Sequence, residues 1–241
     1  MTGHARWVRL SHWVATLSFI GLAFSGYVIL MAHPRLYWGN TGNDLTPALL
    51  ELPISRNYRH GGFEKAEPIF QNAESPVTAI RTYRMFNQNG WGRSLHSLSA
   101  WALVGAGGIY LLIGAIGRHF RHHLVPHRAE LTTNAFRREI RDHVRLKIPP
   151  ATGGPSYGLL QKCAYSTVVF VVLPFTAITG LAMSPAVAAA VPLPAIFGGV
   201  QSARTLHFAS FGVLIGFLVA HVVMIAKSGF ARQMRAMTFG A

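Results

Sequence analysis

Apolar positions in this chain gather into long uninterrupted runs, with polar and charged residues confined between them. Residues 13–31 carry no charge, and Ala-His-Pro closes the run. A second uncharged run occupies 94–117, between Arg93 and Arg118. From Cys163 to Ala203 there is again no charge, a stretch too long for one membrane crossing. Ser184-Pro185 and Val191-Pro-Leu-Pro194 divide it, because proline ends helices and holds its predecessor extended. About 20 residues at 1.5 Å each cross a hydrocarbon layer ~30 Å thick. The pattern therefore predicts an all-α fold, an integral membrane four-helix bundle with spans near 11–32, 94–117, 160–183 and 202–226. Between them lie a loop at 33–92, a basic segment at 118–159 and a short link at 184–203. The first run outlasts the roughly 7–15 residues of a signal-peptide core and has no A-x-A site, so it reads as a retained helix.

Composition agrees with the pattern. Only 12% of residues are charged, against about 25% in soluble domains. The formal charge of +14 has three readings, nucleic acid, anionic membrane surface and topology, and its distribution decides among them. The 118–159 segment holds Arg118, Arg121, Arg128, Arg137, Arg138, Arg141, Arg145 and Lys147 against Glu130, Glu139 and Asp142. Arg6 and Arg9 precede the first span, and Lys227, Arg232 and Arg235 follow the last. The positive-inside bias puts these three regions, with both termini, in the cytoplasm, and leaves 33–92 and 184–203 outside. The basic excess is then topology, with no nucleic-acid partner. One cysteine, Cys163, excludes a disulfide, a CxxC metal site or thioether-linked haem within the chain.

Of the twelve histidines, His119, His122, His123 and His127 sit in the basic segment, and His4, His33, His60 and His143 lie outside the spans. All eight are read as solvated. His12, His96, His207 and His221 fall within or at the rim of the helices, where ionisable groups are costly. His207 and His221 are 14 residues apart, which keeps them within ~40° on one helical face and about 21 Å apart along the axis. His12 and His221 share the cytoplasmic depth, and His96 and His207 the outer depth. Two imidazoles meeting at one depth supply both axial ligands of a six-coordinate haem iron, which then moves electrons and has no position for oxygen. Three of these histidines follow an arginine by three residues: Arg9, Arg93 and Arg204. Each lies a turn nearer the membrane surface, where a guanidinium can meet a haem propionate. Interfacial snorkelling is the plainer account of Arg9. Small residues continue the histidine faces, with Ala15, Ala23 and Gly26 in the first helix and Ala100, Gly107 and Gly114 in the second. Phe211, Leu214 and Leu218 line the fourth.

The four-histidine pattern resembles the bacterial di-haem cytochrome b family that serves as membrane subunit of hydrogenases and formate dehydrogenases. His33-Pro-Arg-Leu-Tyr-Trp-Gly39, Gly90-Trp-Gly-Arg-Ser-Leu-His96, Leu160-Gln-Lys162 and Ser202-Ala-Arg-Thr-Leu-His-Phe208 are similar to the branch known as thiosulfate reductase cytochrome b subunits. The resemblance implies two haems b, with His12 and His221 on the cytoplasmic-side iron and His96 and His207 on the outer one. It implies a multi-pass protein of the bacterial inner membrane. It also implies electron exchange between the quinone pool and an extracytoplasmic molybdopterin oxidoreductase partner, docked on 33–92. Tyr37, Trp38, Tyr58, Phe63, Phe70, Tyr83 and Trp91 supply aromatics there, and an aromatic belt explains Tyr37, Trp38 and Trp91 equally well. The family's quinone motif falls on Tyr157, Gln161 and Lys162, with Gly158 where asparagine is expected. Two other readings are a stand-alone superoxide:quinone oxidoreductase and a haem-free membrane anchor.

Overall fold

A computed structural model describes residues 5–43, 46–54, 89–120, 124–126, 134, 137, 139–141 and 158–240. Helix α1 spans Arg6–Ala32 and stops before Pro34, as the residue preceding a proline must. Strand β1 (Arg35–Leu36) pairs antiparallel with β2 (Leu50–Glu51), Arg35 facing Glu51 and Leu36 facing Leu50. Helix α2 covers Asn89–Ile116 and ends at Arg118, whose φ of 53° takes the left-handed position usual for a helix C-cap. Helix α3 covers Leu159–Ala182. The links α4 (Pro185–Ala190) and α5 (Leu193–Ile196) lead into α6, Val200–Thr238.

Four helices, α1, α2, α3 and α6, are long and apolar enough to cross a membrane, and the protein is an all-α integral membrane protein. Large apolar side chains stand exposed along them, Leu17 and Leu98 both at 68%, as expected of a surface that meets lipid. Helices α1 and α2 begin ahead of their apolar runs, at Arg6 and Asn89, and the helices depart from the hydropathy pattern in three further ways. The prolines at 185 and 194 open short helices as well as ending the span, since proline is favoured in a first turn. Helix α6 continues far past 226, redirected at Gly229 (φ 104°, ψ 82°). Within α3, Val168–Val172 is π-helical, and the N–H of Leu173 reaches back to the Val168 carbonyl. Pro174 explains this: its ring would strike the carbonyl of Phe170 and it has no N–H to give, so the turn widens.

Backbone packing forms two compact units. The first takes Met1–Trp13, Ala106–Phe175 and Ser210–Ala241, and the second Val14–Gly105 and Thr176–Ala209. In the second unit the buried side chains are mostly small: Ser25, Thr179, Ala182, Ser202 and Ala203 are all fully enclosed. A Cβ at Gly21 would lie 2.5 Å from Ser99 Oγ. Such close helix approach is what holds membrane helices together, because apolar burial offers little when the solvent is itself apolar. The 33–43 segment is stapled to the start of α6. Thr205 Oγ1 donates to the Tyr37 carbonyl at 2.6 Å, the Gly39 N–H donates to Ser202 Oγ at 2.7 Å, and Arg204 Nη2 donates to the His33 carbonyl.

The first unit relies more on rings. Trp7 stands 5.4 Å from Tyr110 and 5.1 Å from His119, and Phe120 meets Phe170 edge-on at 5.1 Å. The Glu139 carboxylate accepts the N–H groups of Leu159 and Leu160. A charge at the positive end of α3 thus satisfies two donors that the helix itself cannot.

Candidate functional site

Two pairs of imidazoles face one another, each pair within a single unit. In the first unit His12 and His221 have ring centres 6.4 Å apart. In the second, His96 and His207 have theirs 6.2 Å apart. Histidines that share one metal hold it about 2 Å from each nitrogen, which sets ring centres about 6 Å apart. Both spacings fit one iron between two rings. The donor chemistry also fits, since two neutral imidazoles complete a haem and leave no open position.

In the second unit, helix partners fix which nitrogen is offered. His207 Nδ1 lies 2.9 Å from the Thr176 carbonyl, which can only accept, so Nδ1 carries the proton and Nε2 keeps its lone pair. Thr179 Oγ1 donates to that carbonyl at 3.0 Å and stands 3.2 Å from the same Nδ1. His96 Nδ1 meets Ser25 Oγ at 3.0 Å, while the Ser25 hydroxyl donates to the Gly21 carbonyl at 2.6 Å. The serine proton is thereby committed, and its oxygen accepts from His96. These bonds orient the rings and raise their basicity toward a metal. Glycines supply room: a Cβ at Gly180 would lie 3.2 Å from His207 Cε1, and one at Gly26 3.5 Å from His96 Cε1.

The first unit surrounds its pair with aromatic groups. Phe217 stacks on His221 at 5.8 Å and 19°, and Tyr165 approaches the same ring edge-on at 6.0 Å. Trp13 meets His12 edge-on at 5.6 Å.

The arginines separate. Arg9 donates through Nη1 to the Thr238 carbonyl at 3.1 Å, while its Nε is buried without a hydrogen-bond partner among the described residues. A carboxylate oxygen would satisfy that donor, as the haem reading requires. Arg204 is part-buried with Nη2 on the His33 carbonyl, and Arg93 is exposed. Of the quinone candidates, Gln161 accepts the Gly158 N–H through Oε1 at 3.3 Å, and Lys162 is buried at 8% exposure. Tyr157 lies outside the described residues, as do Tyr58, Phe63, Phe70 and Tyr83. A side chain at Gly158 would meet Glu139 Oε1 at 2.6 Å, so the glycine makes room for the carboxylate that caps α3.

The small-residue faces need correction in part. Gly26 does bring α1 against the His96 ring, and among the described residues nothing lies within 4 Å of a Cβ at Gly107, but the Phe120 ring covers Gly114. Leu214 is buried whereas Leu218 is 37% exposed. Sequence reasoning missed Ser25, Thr176 and Thr179, which are ordinary helix-packing residues by type. It also missed Arg35, a guanidinium only 3% exposed. No group of three or more histidine, cysteine or acidic side chains suited to a bare metal ion occurs among the described residues.

Comparison with known proteins supplies the wider context. The family model for prokaryotic cytochrome b561 matches residues 3–240. A protein of Azospira oryzae named "Putative protein-methionine-sulfoxide reductase subunit YedZ1" is 24% identical over 227 residues, covering 92% of this chain and 89% of that protein. No solved structure matches.

Proposed function

The chain belongs to the prokaryotic cytochrome b561 family, haem b-binding electron-transfer proteins of the bacterial inner membrane, and from that premise we propose that it is the di-haem electron-transfer subunit of a quinone-linked oxidoreductase. The observation that carries this reading is the doubling of one ligand geometry, imidazole pairs at 6.2 Å and 6.4 Å in separate units. Haem so ligated exchanges single electrons without opening a coordination site. The protein's own part is to hold His12 and His221 on one iron and His96 and His207 on the other. Ser25 and the Thr176 carbonyl keep the proton on Nδ1 of the second pair.

With the basic segments in the cytoplasm, the His12 and His221 pair serves the cytoplasmic side and the other pair the outer side. Arg9, Arg93 and Arg204 are the propionate candidates, Arg9 with an available Nε. Quinone is placed near Gln161 and Lys162. Tyr165 lies one turn beyond Gln161 on α3 and touches the His221 ring, so a quinone at that turn would lie close to the haem this pair would hold. A catalytic partner outside the membrane completes the reading, with 33–92 as its docking surface. The relative's name, a subunit of a reductase, supports such a partner. By resemblance to the thiosulfate reductase cytochrome b branch, the proposed partner is a molybdopterin oxidoreductase.

Haem content tests the proposal. Purified protein should contain about two haems b per chain, and His207→Ala and His221→Ala about one each. If both variants keep the wild-type content, the ligand assignment is wrong. Co-purification then identifies the partner, and a protein active alone toward superoxide would favour the stand-alone enzyme.

A further inference from the structure

The last turns of α6 come to lie on the first turns of α1, on both sides of His12. Gly229 makes this possible, because its φ of 104° and ψ of 82° are open to glycine and strained for any other residue. The break is built rather than frayed: Arg232 Nη2 donates to the Ser228 carbonyl at 2.8 Å, just before it. Beyond it the chain resumes a helix whose end is closed by Gly240, at φ 79°, with its N–H on the Arg235 carbonyl at 3.1 Å.

That end leaves carbonyls without helical partners, and two donors from α1 take them. Trp13 Nε1 reaches the Met237 carbonyl at 3.3 Å, and Arg9 Nη1 reaches the Thr238 carbonyl at 3.1 Å. The negative end of a helix therefore rests on a guanidinium, the favourable sense for its dipole. A Cβ at Gly240 would stand 2.6 Å from Arg9 Nη1, so a side chain there would displace the guanidinium from its place on the helix end. Phe230 and Phe239 are exposed, at 56% and 77%. Burial of its aromatics does not hold the segment in place, and the polar contacts specify where it docks.

Arg9 lies one turn before His12, and Trp13 follows it directly with its ring edge against the imidazole. We propose that the segment 230–240 is a clasp that positions His12, making Gly229, Trp13 and Arg9 positioning residues for its iron. The proposal rests on the reading that His12 and His221 hold a haem. In it Arg9 has two roles, Nη1 anchoring the clasp and the buried Nε being the donor that would meet a haem propionate.

Gly229→Ala tests it without touching the site. Among the described residues a Cβ there meets nothing nearer than Arg232 Nη2 at 3.6 Å, so the change acts through backbone conformation. Trp13→Phe keeps the ring beside His12 and removes only its donor. In the full-length purified protein, haem content and the low-spin resonance signal of each haem are measured, with the His96 and His207 haem as internal control. Gly229→Ala should broaden or abolish the His12 and His221 signal and lower haem from about two per chain toward one, and Trp13→Phe should shift the same signal less. Both signals unchanged in both variants, or loss from both sites alike, would overturn the clasp. Wild-type protein with one haem, or full haem content in His221→Ala, would instead refute the di-haem reading on which it rests.

Discussion

The two histidine pairs have nearly equal ring separations, 6.2 Å and 6.4 Å, but different kinds of surroundings. His96 and His207 are held by oxygen atoms, Ser25 Oγ and the Thr176 carbonyl, among small buried side chains. His12 and His221 are held among rings, Trp13, Tyr165 and Phe217. With a haem held at each pair, as proposed, the difference would let one chain tune two identical cofactors separately. A donated Nδ1 proton makes imidazole a stronger base and favours the oxidised iron, whereas aromatic neighbours fix ring orientation with little change in basicity. A haem at the oxygen-held site would therefore have its reduction potential lowered.

The comparison is broken most severely by crowding one site. Gly180→Val adds methyls beyond a Cβ already 3.2 Å from His207 Cε1. It should abolish haem at the oxygen-held site alone, halving haem content to about one per chain. A milder change sharpens it. Ser25→Ala leaves His96 Nδ1–H without its hydroxyl acceptor. Redox titration should then show that haem's potential raised by roughly 20–60 mV, the equivalent of a hydrogen bond's ~0.5–1.5 kcal/mol, with the other haem unmoved. Equal shifts in both haems would show that the two environments are not independent.

On the aromatic side, Phe217→Leu removes the stack on His221, a contact of about 1 kcal/mol. It should alter the low-spin signal of that haem while changing its potential less than Ser25→Ala changes the other. The smallest effect is expected from Glu139→Gln, which takes the charge from the cap of α3. Thermal unfolding should show a loss of about 0.5–1 kcal/mol, with haem content intact.

Much of this was legible in the chain. Runs without charge predicted four membrane helices because the cost of a charge in hydrocarbon is a property of each residue. Proline in 184–194 marked the end of the third span because its missing N–H and fixed φ are likewise properties of a single residue. Helix α6 beyond 226 was not legible: Lys227 ended the apolar run, yet a helix continues wherever its backbone bonds persist, and only Gly229 interrupts it. The π-turn in α3 followed from Pro174, which the sequence displays without saying whether the helix will break, kink or widen there. At the site, the four histidines stood out as ionisable groups in apolar runs. Ser25, Thr176 and Thr179 did not, because serine and threonine are common in membrane helices wherever backbones pack closely.

By itself the sequence determined where the chain can cross a membrane, which ionisable side chains lie within the crossings, and how far apart two of them stand on one helix. These follow from transfer cost and from the fixed rise and turn of an α-helix, both local quantities. Only the tertiary structure decided that a serine 71 residues from His96 and a carbonyl 31 residues from His207 take their Nδ1 protons, and that Met237 and Thr238 meet the neighbours of His12. Hydrogen bonds between helices depend on rotations and approaches of a fraction of an ångström. Those are set by all the side chains packed between the helices and by no period that can be read along one of them.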